Sequence, residues 1–198
     1  KNISIESKII NVNKDDVFEK SKNYLNLKSF FNFKINILKK EIEKVSWVRS
    51  VNIKRVYPDE IKIYIKEYVP IAIWNNKSYM NNSGDIFFIH DIKKNLPMIN
   101  SNESRNKIMY VYFSLLLKYI SDYNFDIEIK KIEENEIRSI SAHLSSGIIV
   151  KFGSKDIKSK IHTFFNVYKT LNSSDLKKIG YIDMRYSNGF SIGWKGVK

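Results

Sequence analysis

The spacing of apolar residues changes period several times along the chain, and each change marks an element. Residues 3–7, ISIES, alternate as a short strand. NVNKDDVFEKSKNYL, from residue 11, reads as a helix capped by Asn13, with Asp15 and Asp16 in its first turn. Ile35, Leu38, Ile42 and Val45 recur at helical spacing and give one face of a second helix. From Trp47 the period becomes two. Val51 and Ile53, then Ile61, Ile63 and Ile65, interleave with Asn52, Lys54, Lys62 and Tyr64, and VYPDE between the runs supplies a turn at Pro58 and Asp59.

Pro70 cannot donate to a strand ladder, so the third strand closes there and a boundary falls at Val69. Beyond it IAIW and KSYMNNSGDIFFI read as short strands, with a turn at NSGD, 82–85. Ile108, Val111, Tyr112, Leu115 and Tyr119 outline a helix packed on a sheet. FDIEIKKIEE, IRSISAHL and GIIVKF follow as strands, the last two joined at SSG, 145–147. Ile157, Ile161, Phe164, Tyr168 and Leu171 form another helical stripe, and GYIDMRY and GFSIGW close the chain as two strands around Ser187 and Asn188. The expected fold is α+β. Residues 1–68 make a β-α-α-β-β module, and residues 69–198 a mixed, mostly antiparallel sheet domain with helices on one face.

Composition permits this and narrows the function. With 43% hydrophobic residues, a chain of 198 can bury a real core. The net charge of +13 suggests an acidic partner such as nucleic acid or an anionic membrane surface. Arginine stands only at 49, 55, 105, 138 and 185, however, and the lysines are scattered rather than gathered in a basic arm. Cysteine is absent, which excludes disulfides, thiolate metal sites and a cysteine nucleophile. The longest apolar run, IMYVYFSLLL at 108–117, is short of the roughly 20 residues of a spanning helix. The chain starts on a strand-like segment at Lys1, so an upstream segment is expected.

Catalytic chemistry has no seat in the pattern. His90, His143 and His162 are far apart and in no ligand spacing, and they read as surface histidines. Phosphate-cradling glycine motifs and a nucleophile elbow are missing. Asp15 and Asp16, and likewise Glu133 and Glu134, are neighbours whose side chains diverge, so both pairs read as solvated charge. Phe30, Phe31 and Phe33 interleave with lysine but form no RNA- or DNA-binding signature. What is left is a protein that binds through surfaces and sheet edges, without cofactor or metal.

The run VSWVRSVNIKRVYPDEIKIYIKEYVPIAIW, 45–74, resembles the POTRA segment of the FtsQ/DivIB family of bacterial cell-division proteins. Trp47, Val48, Arg55, Tyr57, Pro58, Asp59, Glu67, Pro70, Ala72 and Trp74 carry that likeness. NNSGDIF at 81–87, GIIVKFGS with the helix after it, and YIDMRYSNGFSIGW at 181–194 follow in the family's order; Met184 stands where leucine is common. The resemblance implies a POTRA domain at 1–68 and an FtsQ-type β domain at 69–198. It also implies a non-enzymatic, single-pass inner-membrane protein, its bulk periplasmic and its short tail cytoplasmic, at the division septum. The implied partners are FtsB and FtsL, with FtsK, FtsW and FtsI as further divisome contacts. Two other readings fit parts of the pattern: a POTRA-type chaperone of an outer-membrane assembly system, and a basic nucleic-acid-binding protein.

In the family FtsB adds a strand beside the last strand of the β domain, which turns attention to the chain end. Gly189, Ser191 and Gly193 leave one face of that strand bare, as the approach of a second chain requires, while Phe190, Ile192 and Trp194 occupy the other. Tyr186 and Trp194 are the expected affinity residues; the competing placement is that each fills its own domain's core. Arg185, on the opposite face from Tyr186, is placed for an acidic side chain of the partner, with Arg138 on a neighbouring strand as a second candidate. Ser187 and Gly189 set the turn. In the POTRA module Trp47, Val51 and Ile53 are expected in the core, and Arg49, Lys54 and Arg55 either face a recruiting partner or protect a strand edge.

Overall fold

The period-two runs on either side of Pro58 pair with each other, and a small unit is built on them. The computed structural model describes residues 2–26, 32–89, 95–187 and 189–196. Phe30, Phe31, His90 and Asn188 lie outside these. Two units divide the chain, Lys1–Val69 and Pro70–Lys198. The first runs β1 (Asn2–Ile5), α1 (Lys14–Leu25), α2 (Ile35–Ile42), β2 (Val48–Val56) and β3 (Glu60–Glu67). Its sheet has the order β1-β3-β2, with β2 antiparallel and β1 parallel to the central strand. Alternation turns Val51, Ile53, Ile61, Ile63 and Ile65 inward, where Val17 and Leu25 of α1 and Leu38 and Ile42 of α2 are also buried. Asn13 caps α1, its side-chain oxygen accepting from the Asp15 amide at 2.9 Å.

Glu67 fastens the two ends of this unit. Its Oε1 accepts from the backbone N–H of Asn11 at 2.8 Å and of Val12 at 2.6 Å, and both of its oxygens lie 3.0 Å from the Ile10 amide. Successive donors ahead of α1 thus share one carboxylate at the end of β3. Glu67→Ala leaves them without it and is expected to destabilise the unit by about 1–3 kcal/mol. Urea unfolding followed through the buried Trp47 reads the loss, and Glu67→Gln should lose less. Arg55 is likewise used internally: its guanidinium donates to the Phe33 carbonyl and lies 4.1 Å from the Phe33 ring centroid. Trp47, Val51 and Ile53 are buried, and Arg49 is exposed.

The second unit runs β4 (Pro70–Trp74), β5 (Ser78–Asn81), β6 (Ile86–Phe87) and β7 (Met98–Asn100), then a 3₁₀ turn at Glu103–Arg105 leading into α3 (Asn106–Asp122). It continues through β8 (Ile129–Glu134), β9 (Ile140–Leu144), β10 (Ile149–Gly153), α4 (Ile157–Tyr168), α5 (Ser173–Lys178), β11 (Ile179–Asp183) and β12 (Ser191–Trp194). Among the described residues its strands join one nine-stranded sheet, β12-β11-β10-β9-β8-β7-β4-β5-β6. The β4–β7, β7–β8 and β10–β11 pairs are parallel and the others antiparallel. The helical crossovers β7–α3–β8 and β10–α4–α5–β11 step the same way across the sheet between strands of the same direction. Right-handed crossovers then bring both sets of helices to one face. The shared core holds Met109, Phe113 and Leu116 of α3 with Ile161, Phe164 and Phe165 of α4, over Ile132, Val150 and Ile182 of the sheet.

Several expectations need correction here. β7 and α5 were not visible in the periodicity: β7 has only three residues, and α5, SSDLKK, has a single apolar one. The fully buried residues of α3 are Met109, Phe113 and Leu116; of the expected stripe Ile108, Val111, Tyr112, Leu115 and Tyr119, the last three pack half-buried against the same core. Ile108 and Val111 are each 41% exposed. This helix is apolar almost all round, so period alone does not choose its inward side. Glu134 is not solvated. Its side chain is 2% exposed and 2.6 Å from Arg105 Nη2; Arg105 Nε donates to it at 2.7 Å, and the Ser101 hydroxyl is a further donor. The Nη2 contact is off the hydrogen-bond axis, so it is ionic rather than an aligned bond. Glu133, on the other side of β8, pairs with Lys131 and, at 2.8 Å, with His143 Nε2.

Candidate functional site

The closing strands β11 and β12 form an antiparallel pair at one end of the nine-stranded sheet, and among the described residues β12 has a strand partner only on its β11 side. Pairing sets Asp183 against Ser191, Ile182 against Ile192, Tyr181 against Gly193 and, past an irregularity, Ile179 against Trp194. Ile182 and Ile192 turn toward the helix-covered core. Tyr181 and Gly193 therefore face the other way. The Lys195 amide donates to the Lys178 carbonyl at 2.7 Å and carries the pairing one step further.

The connector from β11 to β12 is organised by Asp183. This residue is buried, and its carboxylate accepts from the Arg185 amide at 3.0 Å and from the Arg185 guanidinium, Nε at 2.9 Å to Oδ1 and Nη2 at 2.6 Å to Oδ2. Arg185 also takes a carbonyl contact from Lys160, whose Nζ donates to its backbone oxygen at 3.3 Å. The Arg185 cation is thus already held within the chain, and a partner's acid would share it rather than neutralise it alone. The hydrogen bond from the Arg185 guanidinium holds the Asp183 carboxyl below its ordinary value, outweighing burial, which works the other way; the charge of Lys151 on β10 adds to the lowering.

A lowered folded-state value means that the unfolded chain binds the proton first as pH falls. The stabilisation is complete above the ordinary carboxylate value, about pH 4, and disappears as pH falls through the depressed one. Asp183→Asn should therefore lose stability at neutral pH, while its stability falls less steeply than the wild type's between about pH 5 and pH 2. Thermal unfolding across that range distinguishes the two.

The predicted site residues fall into distinct groups. Tyr186 is 59% and Trp194 44% exposed, so neither fills the domain's own core. Phe190 is exposed beside them, and Tyr186, Ser187, Gly189, Phe190 and Ser191 line one shallow hollow. A larger cavity of about 600 Å³ lies next to it, where Arg185, Tyr186, Ser187 and Gly189 meet Lys155 and Asp156 just ahead of α4 and Lys160 within it. Arg138 is not on a strand: it sits at positive φ in the turn between β8 and β9, where the Asn135 side chain accepts from the Ser139 amide. It borders a hollow with Arg105, Glu134 and Glu136, while its neighbours Ile137 and Ser139 line the cavity that holds Arg185 and Tyr186. A further correction concerns the bare face. Gly189 has open space around it, but the place beside Gly193 is filled by the ring of Tyr181. Tyr181 and Asp183 escaped sequence reasoning, although the register of a strand pair closing on 184–190 already sets Tyr181 across from Gly193.

Among the described residues no group of side chains could hold a metal ion, and no helix is long and apolar enough to cross a membrane. His143 is taken up by Glu133, and His162 lies against the Tyr119 ring.

Residues 1–68 match the family described as POTRA domain, FtsQ-type, and residues 72–185 match Cell division protein FtsQ/DivIB, C-terminal. The cell division protein FtsQ of Haemophilus influenzae is 27% identical over 183 residues, spanning 90% of this chain and 71% of that protein. FtsQ of Escherichia coli is 29% identical over 174 residues, 84% of this chain and 62% of that protein. FtsQ of Vibrio cholerae is 28% identical over 171 residues, with 84% and 64% covered.

Proposed function

The chain belongs to the FtsQ/DivIB family of bacterial cell-division proteins, and from that premise we propose that it is a divisome scaffold that captures FtsB, with FtsL, by adding a partner strand to β12. The position of β12 carries the reading. Among the described residues it is the strand at one of the two edges of its sheet, it is short, and it is flanked by exposed aromatic side chains. An edge of this kind offers main-chain donors and acceptors for affinity, while Tyr186, Trp194 and the hollow at Ser187, Gly189 and Ser191 supply specificity. Arg185 and the lysines of the adjoining cavity favour an acidic side chain on the incoming segment. Arg138, in its turn, is a more distant contact for the same charge.

In this reading the chain is the periplasmic part of a single-pass inner-membrane protein at the septum, residues 1–68 serve recruitment, and the protein, with FtsB and FtsL bound, links early components such as FtsK to the synthase pair FtsW and FtsI. The match of residues 72–185 to the FtsQ/DivIB C-terminal family favours this reading over an outer-membrane chaperone. The test is a calorimetric titration of the chain with the soluble extracytoplasmic FtsB–FtsL pair, joined to amide exchange. A one-to-one complex with slowed exchange at Ser191–Trp194 is expected. Absence of binding, or protection confined to other strands, defeats the proposal.

A further inference from the structure

The space beside Gly193 is used by another residue of the same chain. A Cβ built on Gly193 would stand 2.0 Å from Cε1 and 2.3 Å from Cζ of Tyr181, its cross-strand partner. Any side chain at 193 must therefore push the ring out. Lys151, from β10, brings its Nζ to 4.3 Å from the centroid of the same ring. On the open face of the sheet, β10, β11 and β12 are thus linked by a lysine, a tyrosine ring and a vacant glycine position. The backbone ladder slips between Ile179 and Tyr181, directly beside this contact, so the register of β12 depends on side-chain packing at the point where the ladder is irregular.

We propose, resting on the strand-capture reading above, that Tyr181 is a positioning and specificity residue of the docking edge. Its ring, lodged over Gly193, holds β12 in register and puts an aromatic rim where β12 has no side chain of its own. An added strand then meets no Cβ at its Gly193 position but the rim of Tyr181, a surface left 40% exposed in the free chain. Cross-strand packing on an aromatic ring favours a bulky apolar or aromatic residue at that position of the partner. The glycine and the tyrosine are one device: the first is small so that the second can reach the edge.

The test uses Gly193→Ala, Tyr181→Ala, the double variant and Tyr181→Phe, each titrated with the soluble extracytoplasmic FtsB segment and followed by amide exchange in the free chain. Gly193→Ala is expected to speed exchange across Ser191–Trp194 and weaken capture, each by about ten-fold or more, with exchange in β8–β10 unchanged. Tyr181→Phe keeps the ring and should behave as wild type. The double variant should lose no more than the worse single, because both changes break the same contact. Additive losses in the double variant, or a Gly193→Ala chain with wild-type exchange and capture, overturn the proposal. Failure of the wild-type chain to bind FtsB defeats the strand-capture reading and the partner specificity with it, while the exchange comparison separately decides whether Tyr181 holds β12.

Discussion

Arg105→Ala is expected to destabilise the second unit by about 3–5 kcal/mol, because it leaves the Glu134 carboxylate buried without its counter-charge. Glu134 lies in the sheet with its side chain almost fully covered, and Arg105 supplies both its ionic contact and a charged hydrogen-bond donor. The pair also ends a chain of polar contacts at the ends of parallel strands. The Ser101 hydroxyl donates to Glu134, and Ser101 and Asn75 exchange hydrogen bonds, the Ser101 amide to Asn75 Oδ1 at 2.9 Å and Asn75 Nδ2 to the Ser101 carbonyl at 2.8 Å. Removing both charges is a different experiment from removing one. Arg105→Leu with Glu134→Leu should recover most of the loss, since two apolar groups leave no orphaned ion. Urea dependence of the slowest amides in β8 and β9 measures both. A loss below about 1 kcal/mol for Arg105→Ala would show that Glu134 finds solvent or another partner.

The same pair shows where sequence stops being informative. The hairpin around Pro58 is legible because its signals are local: two alternating runs and a turn residue between them. Glu133 and Glu134 are also read correctly as diverging, since a strand sends neighbours to opposite faces. Which of the two is buried depends on a sheet order and on an arginine 29 residues away, and neither leaves a trace in local periodicity. α3 illustrates a related limit. Apolar residues surround it, so the choice of Met109, Phe113 and Leu116 for the core is made by packing against the sheet and α4. At the chain end, the alternation of GFSIGW predicts a strand, which forms over Ser191–Trp194, but the side expected to be bare is occupied at Gly193 by Tyr181; its position at an edge follows once β11 is placed parallel to β10. The reason for that occupancy is a cross-strand register, and the alternation of β12 alone carries no information about β11. Asp183 and Arg185 had a visible signal, an acid and a base two apart in the predicted strand GYIDMRY, although β11 itself ends at Asp183 and Arg185 lies in the connector.

Trp194→Ala and Tyr186→Ala should each leave the second unit folded and weaken capture of the extracytoplasmic FtsB segment by about 30-fold or more, near 2 kcal/mol. The argument starts from exposure. About half of each side chain is in water in the free chain, so truncation removes less of the unit's own packing than it would for a core residue such as Ile182. An incoming strand would cover that same surface, and large aromatic side chains become most costly to lose when a partner desolvates them. Arg185→Ala is expected to act differently. Its guanidinium is bound to Asp183, so the substitution weakens capture less at physiological salt, lowers its salt dependence, and costs stability by leaving the buried Asp183 carboxylate with the residue 185 amide but without its guanidinium donors and counter-charge. Calorimetry at two ionic strengths, with thermal unfolding of the same variants, separates these effects. Unchanged affinity in both aromatic variants would mean that the partner is held elsewhere on the sheet. A loss shared equally by Arg185→Ala and the aromatics, without a change in salt dependence, would mean that the connector's shape, rather than its side chains, is what the partner reads.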